Sequence, residues 1–89
     1  MIIGANRVFE HGGTEYHIQA EDLGSEQAAF EIRVYDKGTV LWRKRVPYAE
    51  LVAKGLPRLE LEEQVRSLME KTLHTVQAAI AKGKLAAGA

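Results

Sequence analysis

The chain has 89 residues, 46% of them hydrophobic and 27% charged, which is the composition of one ordinary globular domain. Its 12 lysines and arginines balance its 12 aspartates and glutamates, and this zero net charge argues against a dedicated nucleic-acid-binding protein. Because there is no cysteine, disulfides, iron–sulfur clusters, thiolate zinc sites and thiol nucleophiles are excluded.

The first half of the chain alternates apolar and polar residues with a period of two, which is typical of β-strands. Gly12 and Gly13 separate two such stretches and suit a two-residue hairpin loop, since glycine readily adopts positive φ. This loop places Phe9 opposite Tyr16 as an aromatic cross-strand pair. The second strand carries Tyr16, Ile18 and Ala20 on one face and His17, Gln19 and Glu21 on the other. Residues 22–27 are predicted to form a polar loop.

The stretches AFEIRVY and TVLWRKRV are predicted to form a second hairpin. Between them, Asp36, Lys37 and Gly38 match a three-residue loop, a type I turn with Gly38 in the left-handed conformation. This loop pairs Tyr35 with Thr39 and thereby sets the register of the hairpin. The further expected pairs are Val34 with Val40, Ile32 with Trp42, Phe30 with Lys44, Arg33 with Leu41, and Glu31 with Arg43.

The only tryptophan, Trp42, is followed by three basic residues, Arg43, Lys44 and Arg45, a combination that also occurs in nucleic-acid-binding surfaces. The predicted register divides this cluster between the two faces of the sheet. Trp42 falls on the apolar face, where a helix is expected to cover it, whereas Arg43 and Arg45 point to the opposite face. Lys44 falls at the strand end, where its aliphatic stem can lie on apolar surface. The four residues are therefore not expected to form one patch.

Two helices are predicted after the strands. Pro47 suits the first turn of a short helix that ends at Gly55. A long helix is predicted from Leu59 to Lys82, because its apolar residues form a stripe about 140° wide, enough to cover one face of a sheet. The stripe consists of Leu61, Val65, Leu68, Met69, Leu73, Val76 and Ile80.

The predicted fold class is α+β: a four-stranded antiparallel meander sheet, with a short helix and one long C-terminal helix packed across one face. Residues 1–82 are expected to form this single domain, and residues 83–89 a disordered tail. The charges are unevenly distributed, since residues 1–30 carry one base and five acids, and residues 31–58 carry seven bases and three acids. This is either an accident of individual strands or a dipolar surface that favours self-association.

No residue pattern points to catalysis. The three histidines, His11, His17 and His74, lie on different predicted elements without metal-ligand spacing, so neither a metal site nor a cofactor is expected. His17 and Glu21 share a strand face, but side chains four residues apart on a strand are separated by about 13 Å. No serine stands in a nucleophile motif, and the glycine pair lacks a phosphate-loop lysine. We therefore expect a non-enzymatic domain.

The sheet face away from the long helix is the candidate binding surface. It is expected to carry His17, Gln19, Glu21, Glu31, Arg33, Tyr35, Leu41, Arg43 and Arg45. An uncovered face and two free strand edges favour the binding of a protein, most simply a second copy in a homodimer. The alternative is nucleic-acid binding through the arginines and the tyrosine of this face, although the neutral chain makes nucleic acid the less expected partner.

No apolar run approaches the about 20 residues that span a bilayer, so no membrane partner is expected. The first residues, MIIGANRV, lack the basic and long apolar regions of a signal peptide. The expected location is therefore the cytoplasm.

The run YHIQAEDLG and the following EIRVYDKGTVLWRKRVPYAEL resemble small uncharacterised bacterial domains. The resemblance covers roughly residues 14–52 of the chain. It implies the order of strands described above. Because those domains have no function that we can name, the resemblance implies no site residue, cofactor or partner.

Overall fold

Four strands and two helices follow one another along the chain in the computed structural model, which describes residues 3–84. The elements are β1 (Gly4–His11), β2 (Thr14–Asp22), β3 (Ala29–Asp36), β4 (Thr39–Pro47), α1 (Ala49–Ala53) and α2 (Arg58–Ala81). The strands pair antiparallel in the order β1-β2-β3-β4, so β1 and β4 are the two edges of one open sheet. The predicted α+β meander with a short and a long helix is confirmed.

The first hairpin has the predicted loop and register. Gly12 and Gly13 both have positive φ, 58° and 81°, as a primed two-residue turn requires. Phe9 consequently lies opposite Tyr16. The register continues without interruption along both strands and pairs Gly4 with Glu21 at the far end.

The second hairpin differs from the prediction. Lys37 and Gly38 both have positive φ, 51° and 83°, and form a two-residue loop that pairs Asp36 with Thr39. A primed turn of this kind matches the right-handed twist of the strands better than the predicted three-residue loop, and it is reached here although Lys37 is not a glycine. All the predicted pairs of this hairpin are therefore wrong.

A β-bulge then changes the register of the second hairpin. Tyr35 pairs with Val40, but Val34 pairs with Trp42, so Leu41 is an extra residue without a ladder partner. The remaining pairs are Arg33 with Arg43, Ile32 with Lys44, Glu31 with Arg45, Phe30 with Val46, and Ala29 with Pro47. A two-residue loop alone would have reversed the faces of β4. Because the bulge adds one residue, Trp42 still lies on the predicted face, whereas Val40 does not.

The hydrophobic core lies between α2 and the sheet. The backbone of the helix comes closest to β1 and β2, and its buried side chains also pack on β3. Five of the seven residues of its predicted stripe are buried, namely Val65, Met69, Leu73, Val76 and Ile80, and Leu61 and Leu68 are half-buried. They pack on the sheet residues Ile18, Phe30, Ile32 and Val34, each of which is fully buried.

The junction between β4 and α1 also differs from the prediction. Pro47 is the last residue of β4 and lies opposite Ala29, rather than in the first turn of a helix. Tyr48 is the residue before α1, and its backbone N–H donates to the carbonyl oxygen of Ala28 at 2.7 Å. This bond ties the start of α1 to the loop before β3. Gly55, with a φ of 65°, follows α1 as predicted.

The structure gives the start of the polar loop predicted at residues 22–27 and the first residues of the tail predicted at residues 83–89. Asp22 belongs to β2 and is buried, so the polar loop begins one residue later than predicted. At the other end, Gly83 donates its N–H to the carbonyl oxygen of Ile80 and closes α2. The rest of the tail predicted as disordered, residues 85–89, lies outside the described residues.

Neither helix within residues 3–84 combines the length and the apolar character needed to cross a bilayer.

Candidate functional site

The sheet face away from α2, here called the open face, is ordered in three cross-strand rows. The rows run from β1 to β4 and consist of Val8, His17, Tyr35 and Val40; of Asn6, Gln19, Arg33 and Arg43; and of Gly4, Glu21, Glu31 and Arg45. Eight of the nine predicted site residues lie in these rows. The exception is Leu41, the unpaired residue of the bulge, which Val40 replaces opposite Tyr35.

Val8, Asn6 and Val40 are open-face residues that the sequence-based prediction missed. For Val8 and Asn6 the signal was present, because the glycine loop also pairs them with His17 and Gln19. Val8 is 59% exposed and Val40 is 45% exposed, so the first row has an apolar residue at each edge of the sheet. Val40 could not be placed because its face depends on the loop of the second hairpin.

Arg33 is the centre of a polar network on the open face. Its Nε donates to Oε1 of Glu31 at 2.5 Å, its Nη2 lies 3.8 Å from Oε1 of Glu21, and its Nη1 lies 3.5 Å from the Tyr35 hydroxyl. The hydrogen bonds to Glu31 and, second, to Tyr35 raise the pKa of Arg33 above its ordinary value. Arg33 is therefore engaged with two carboxylates from within its own sheet.

The acidic residues of the open face outnumber its arginines by one. Arg33, Arg43 and Arg45 supply three positive charges. Glu10, Glu15, Glu21 and Glu31 supply four negative charges, and Glu15 lies 3.0 Å from Nε2 of His17. His17 thus contacts Glu15 and not Glu21, as the strand spacing predicts. A face of this composition has no excess positive charge with which to attract a polyanion.

No group of three or more histidine, aspartate or glutamate side chains within residues 3–84 is arranged to hold a metal ion. The nearest approach to a catalytic pair is Tyr48, whose hydroxyl donates to Oδ1 of Asp22. Both residues are buried, at 3% and 8% exposure. Burial and, second, the hydrogen bond to Asp22 raise the pKa of Tyr48 above its ordinary value. A buried tyrosine held in its neutral form is a structural tie between the end of β2 and the start of α1.

A second surface, which the sequence-based prediction missed, lies on the other side of the sheet. Because the backbone of α2 comes closer to β1 and β2 than to β4, the helix-side residues of β4 lie beside an open groove, here called the β4–α2 groove. Its part beside β4 has a volume of about 470 Å³. A second part of about 550 Å³ continues between α1 and α2, and the two parts share Pro47, Leu68 and Lys71.

The β4–α2 groove has an apolar floor and a basic rim. Trp42, Val46, Leu68, Val76 and Ala79 form apolar parts of its lining. Lys44 and Lys71 line the part beside β4, and Lys54 lines the part beside α1. Arg45 borders the groove as well, but its side chain belongs to the open face. Glu50 is the one acidic lining residue of the two parts. Within residues 3–84, none of the cations Lys44, Lys54 and Lys71 forms an ion pair.

Lys44 is the residue from which the groove could have been predicted. It alternates with Trp42 and Val46 on the strand face that was expected to be covered by the long helix. A charged residue at such a position indicates that this part of the face reaches water. The half-buried state of Trp42 has the same cause, since the helix lies beside this side chain rather than over it.

Comparisons with family models, with curated proteins and with solved structures find no match. The resemblance of residues 14–52 to small bacterial domains therefore stays a prediction, and the proposals below rest on the residues themselves.

Proposed function

We propose that the chain is a non-enzymatic protein-binding domain whose contact surface is the β4 side of the molecule. The observation that carries the proposal is the β4–α2 groove, where Trp42 and Val46 are left beside solvent next to unpaired cations. Solvent-facing apolar residues ringed by charge are typical of protein contact surfaces.

A second copy of the chain is the simplest partner. In such a homodimer, not every surface of the β4 side is suitable as the interface. Antiparallel pairing of β4 with β4 of a second copy would bring two runs of Arg43, Lys44 and Arg45 against each other. Like charges on directly opposite strands are destabilising, and basic residues on an edge strand oppose such pairing. A homodimer is therefore proposed to form through the open face or the groove rather than by continuation of the sheet.

Nucleic-acid binding through the open face is the alternative, and the arrangement of Arg33 weighs against it. Two carboxylates already accompany this guanidinium, so that a phosphate would have to displace them. The remaining cations, Arg43 and Arg45, are exposed and unpaired within residues 3–84. They could supply a log–log salt slope of no more than about −2, counting each phosphate contact as about −0.9.

Sedimentation velocity over a wide range of concentrations tests the homodimer, with Arg43→Glu and Lys37→Glu as a matched pair of charge reversals. Arg43 lies within the open face, whereas Lys37 lies at the tip of the hairpin. A dimer through the open face should dissociate with the first variant and not with the second. A wild type that stays monomeric at high micromolar concentration overturns the homodimer. Binding of oligonucleotides at low salt, with a log–log salt slope of about −2, would favour the alternative.

A further inference from the structure

We infer that the β4–α2 groove receives an acidic amphipathic helix from a protein partner. This inference rests on the proposed protein-binding function and names the chemistry of the partner. The groove has the features that such a helix needs: an apolar floor, a basic rim, and open space beside an existing helix. The following observations fix the size, the charge and the pattern of the occupant.

The size of the groove fits one helix of about four turns. Strands lie about 4.8 Å apart and a helix with its side chains is about 10 Å wide, so one helix cannot cover four strands. The residues of α2 that line the groove extend from Gln64 to Ala79, 15 positions apart. At 1.5 Å per residue this length is about 22 Å. A helix of about 15 residues would lie in the angle between α2 and β4.

The charge of the rim selects an acidic occupant. Lys44 lies on the β4 side, Lys71 lies on the α2 side, and Lys54 lies near one end. Cations on both sides of an apolar floor match a helix whose apolar stripe is flanked by glutamates or aspartates on both sides. A basic or neutral amphipathic helix would leave these cations unpaired and is disfavoured.

Residues 3–84 do not offer such a segment in an available form. The acidic start of α2, with Glu60 and Glu63, is the nearest match in charge. The apolar partner of these glutamates, Leu61, already packs against the core, and the other leucine of this turn, Leu59, is 75% exposed on its own. The occupant is therefore assigned to another chain, and insertion of a second copy becomes one outcome of the test.

The experiment is a fluorescence titration, because Trp42 lines the groove and is the only tryptophan. The probe is a synthetic helix of about 18 residues, with leucines at i, i+3, i+4 and i+7 and glutamates on both sides of this stripe. Saturable binding with a blue shift of the Trp42 emission is expected. A peptide of the same composition, scrambled to destroy the stripe, and a peptide with lysine in place of glutamate should not bind.

Two matched pairs of variants locate the bound peptide. Lys71→Gln removes a rim cation and should weaken binding about two- to fivefold, whereas Arg66→Gln, on the β1 side of α2, should not. Thr75→Glu places an anion in the groove and should weaken binding about tenfold or more. Ala78→Glu, an exposed position of α2 outside the lining, should have no effect. All four positions are exposed, and circular dichroism checks that each variant is folded.

Equal binding of the scrambled or the basic peptide, or equal effects within either pair of variants, would overturn the inference. Absence of peptide binding overturns it as well, and sedimentation then separates the two proposals. A wild type that dimerises, with Thr75→Glu monomeric and Ala78→Glu dimeric, places a second copy in the groove and leaves the protein-binding function standing. A monomer that binds no peptide removes both.

Discussion

Arg33 and Arg43 lie directly opposite each other on β3 and β4, so that two positive charges occupy neighbouring positions in the middle of the open face. Such a pair is destabilising by itself. Glu31 compensates for it, since its carboxylate accepts a hydrogen bond from Nε of Arg33, and Glu21 adds a longer contact. The arginine pair is tolerated because one of its members is neutralised within the sheet.

Glu31→Gln should destabilise the fold by about 0.5–1 kcal/mol, because it leaves the two arginines at opposite positions of β3 and β4 without the nearest carboxylate. Urea unfolding measures the loss. Arg43→Gln should recover part of the loss when it is combined with Glu31→Gln. Glu26→Gln, in the loop between β2 and β3, removes a glutamate without a neighbouring arginine pair and serves as the control. Strictly additive effects of Glu31→Gln and Arg43→Gln would contradict this account.

Lys37→Asn should stabilise the second hairpin by about 0.5–1 kcal/mol. Lys37 has a φ of 51°, a conformation that asparagine adopts at lower cost than lysine, and Asn-Gly is the preferred sequence of the two-residue primed turn. Gly38→Ala should destabilise, through the strain of a φ of 83° alone, since a Cβ at this position meets nothing within 4 Å. Thermal unfolding checks both. A destabilising effect of Lys37→Asn would indicate the three-residue loop instead.

Trp42→Ala should cost about 1–3 kcal/mol, less than Leu73→Ala at about 2–5 kcal/mol, because Trp42 is half-buried and Leu73 is fully buried. The emission maximum of the native protein should accordingly lie between those of fully buried and fully exposed tryptophan. Urea unfolding of the two variants gives the comparison. A loss for Trp42→Ala equal to or larger than that for Leu73→Ala would show that the groove is closed in solution.

Tyr48→Phe should destabilise the fold by about 1–3 kcal/mol, because it leaves the buried carboxylate of Asp22 without its hydrogen-bond donor. Combining it with Asp22→Asn should reduce the loss, since the amide carries no charge to desolvate. Unfolding in urea at neutral pH measures each variant and the coupling between them. A Tyr48→Phe variant as stable as the wild type would mean that the hydroxyl contributes nothing to the fold.

Tyr48 should also make the free energy of unfolding depend on pH in the alkaline range. The pKa of Tyr48 is raised in the folded state, so its contribution is fully present below the unfolded value of about 10 and is lost as the pH rises above it. The difference in stability between the wild type and Tyr48→Phe should therefore shrink with increasing pH in the alkaline range. Unfolding of both proteins at several alkaline pH values measures this difference.

Local patterns in the sequence were sufficient to predict the order of the strands and helices, the first hairpin and the buried residues of α2. Two adjacent glycines at positions 12 and 13 determine a loop length, and the loop length determines the pairing of Phe9 with Tyr16. The spacing of apolar residues along α2 identifies the residues that it buries. These features depend on neighbours within a few residues, and for that reason they can be read without the tertiary structure.

The register of β3 against β4 could not be predicted from the local sequence, because it depends on packing across the whole sheet. Asp36-Lys37-Gly38 is compatible with two loops that differ by one residue, and each loop reverses the faces of β4 relative to the other. The bulge at Leu41 restores Trp42 to the helix side, where Val34 and Val46 provide apolar contacts. The register with the bulge is favoured because it buries β4 side chains against core residues that belong to distant parts of the sequence.

The β4–α2 groove and the Asp22–Tyr48 hydrogen bond were likewise decided by the tertiary structure. The apolar stripe of α2 predicts which residues of the helix are buried, but it does not predict where the helix lies relative to the four strands. Because its backbone comes closer to β1 and β2 than to β4, Trp42, Lys44 and Val46 are left beside the groove. Asp22 and Tyr48 are 26 residues apart and meet only because β2 and the start of α1 are brought to the same end of the sheet. Side chains that meet through packing of distant elements carry no local signal, and both features therefore depend on the folded arrangement.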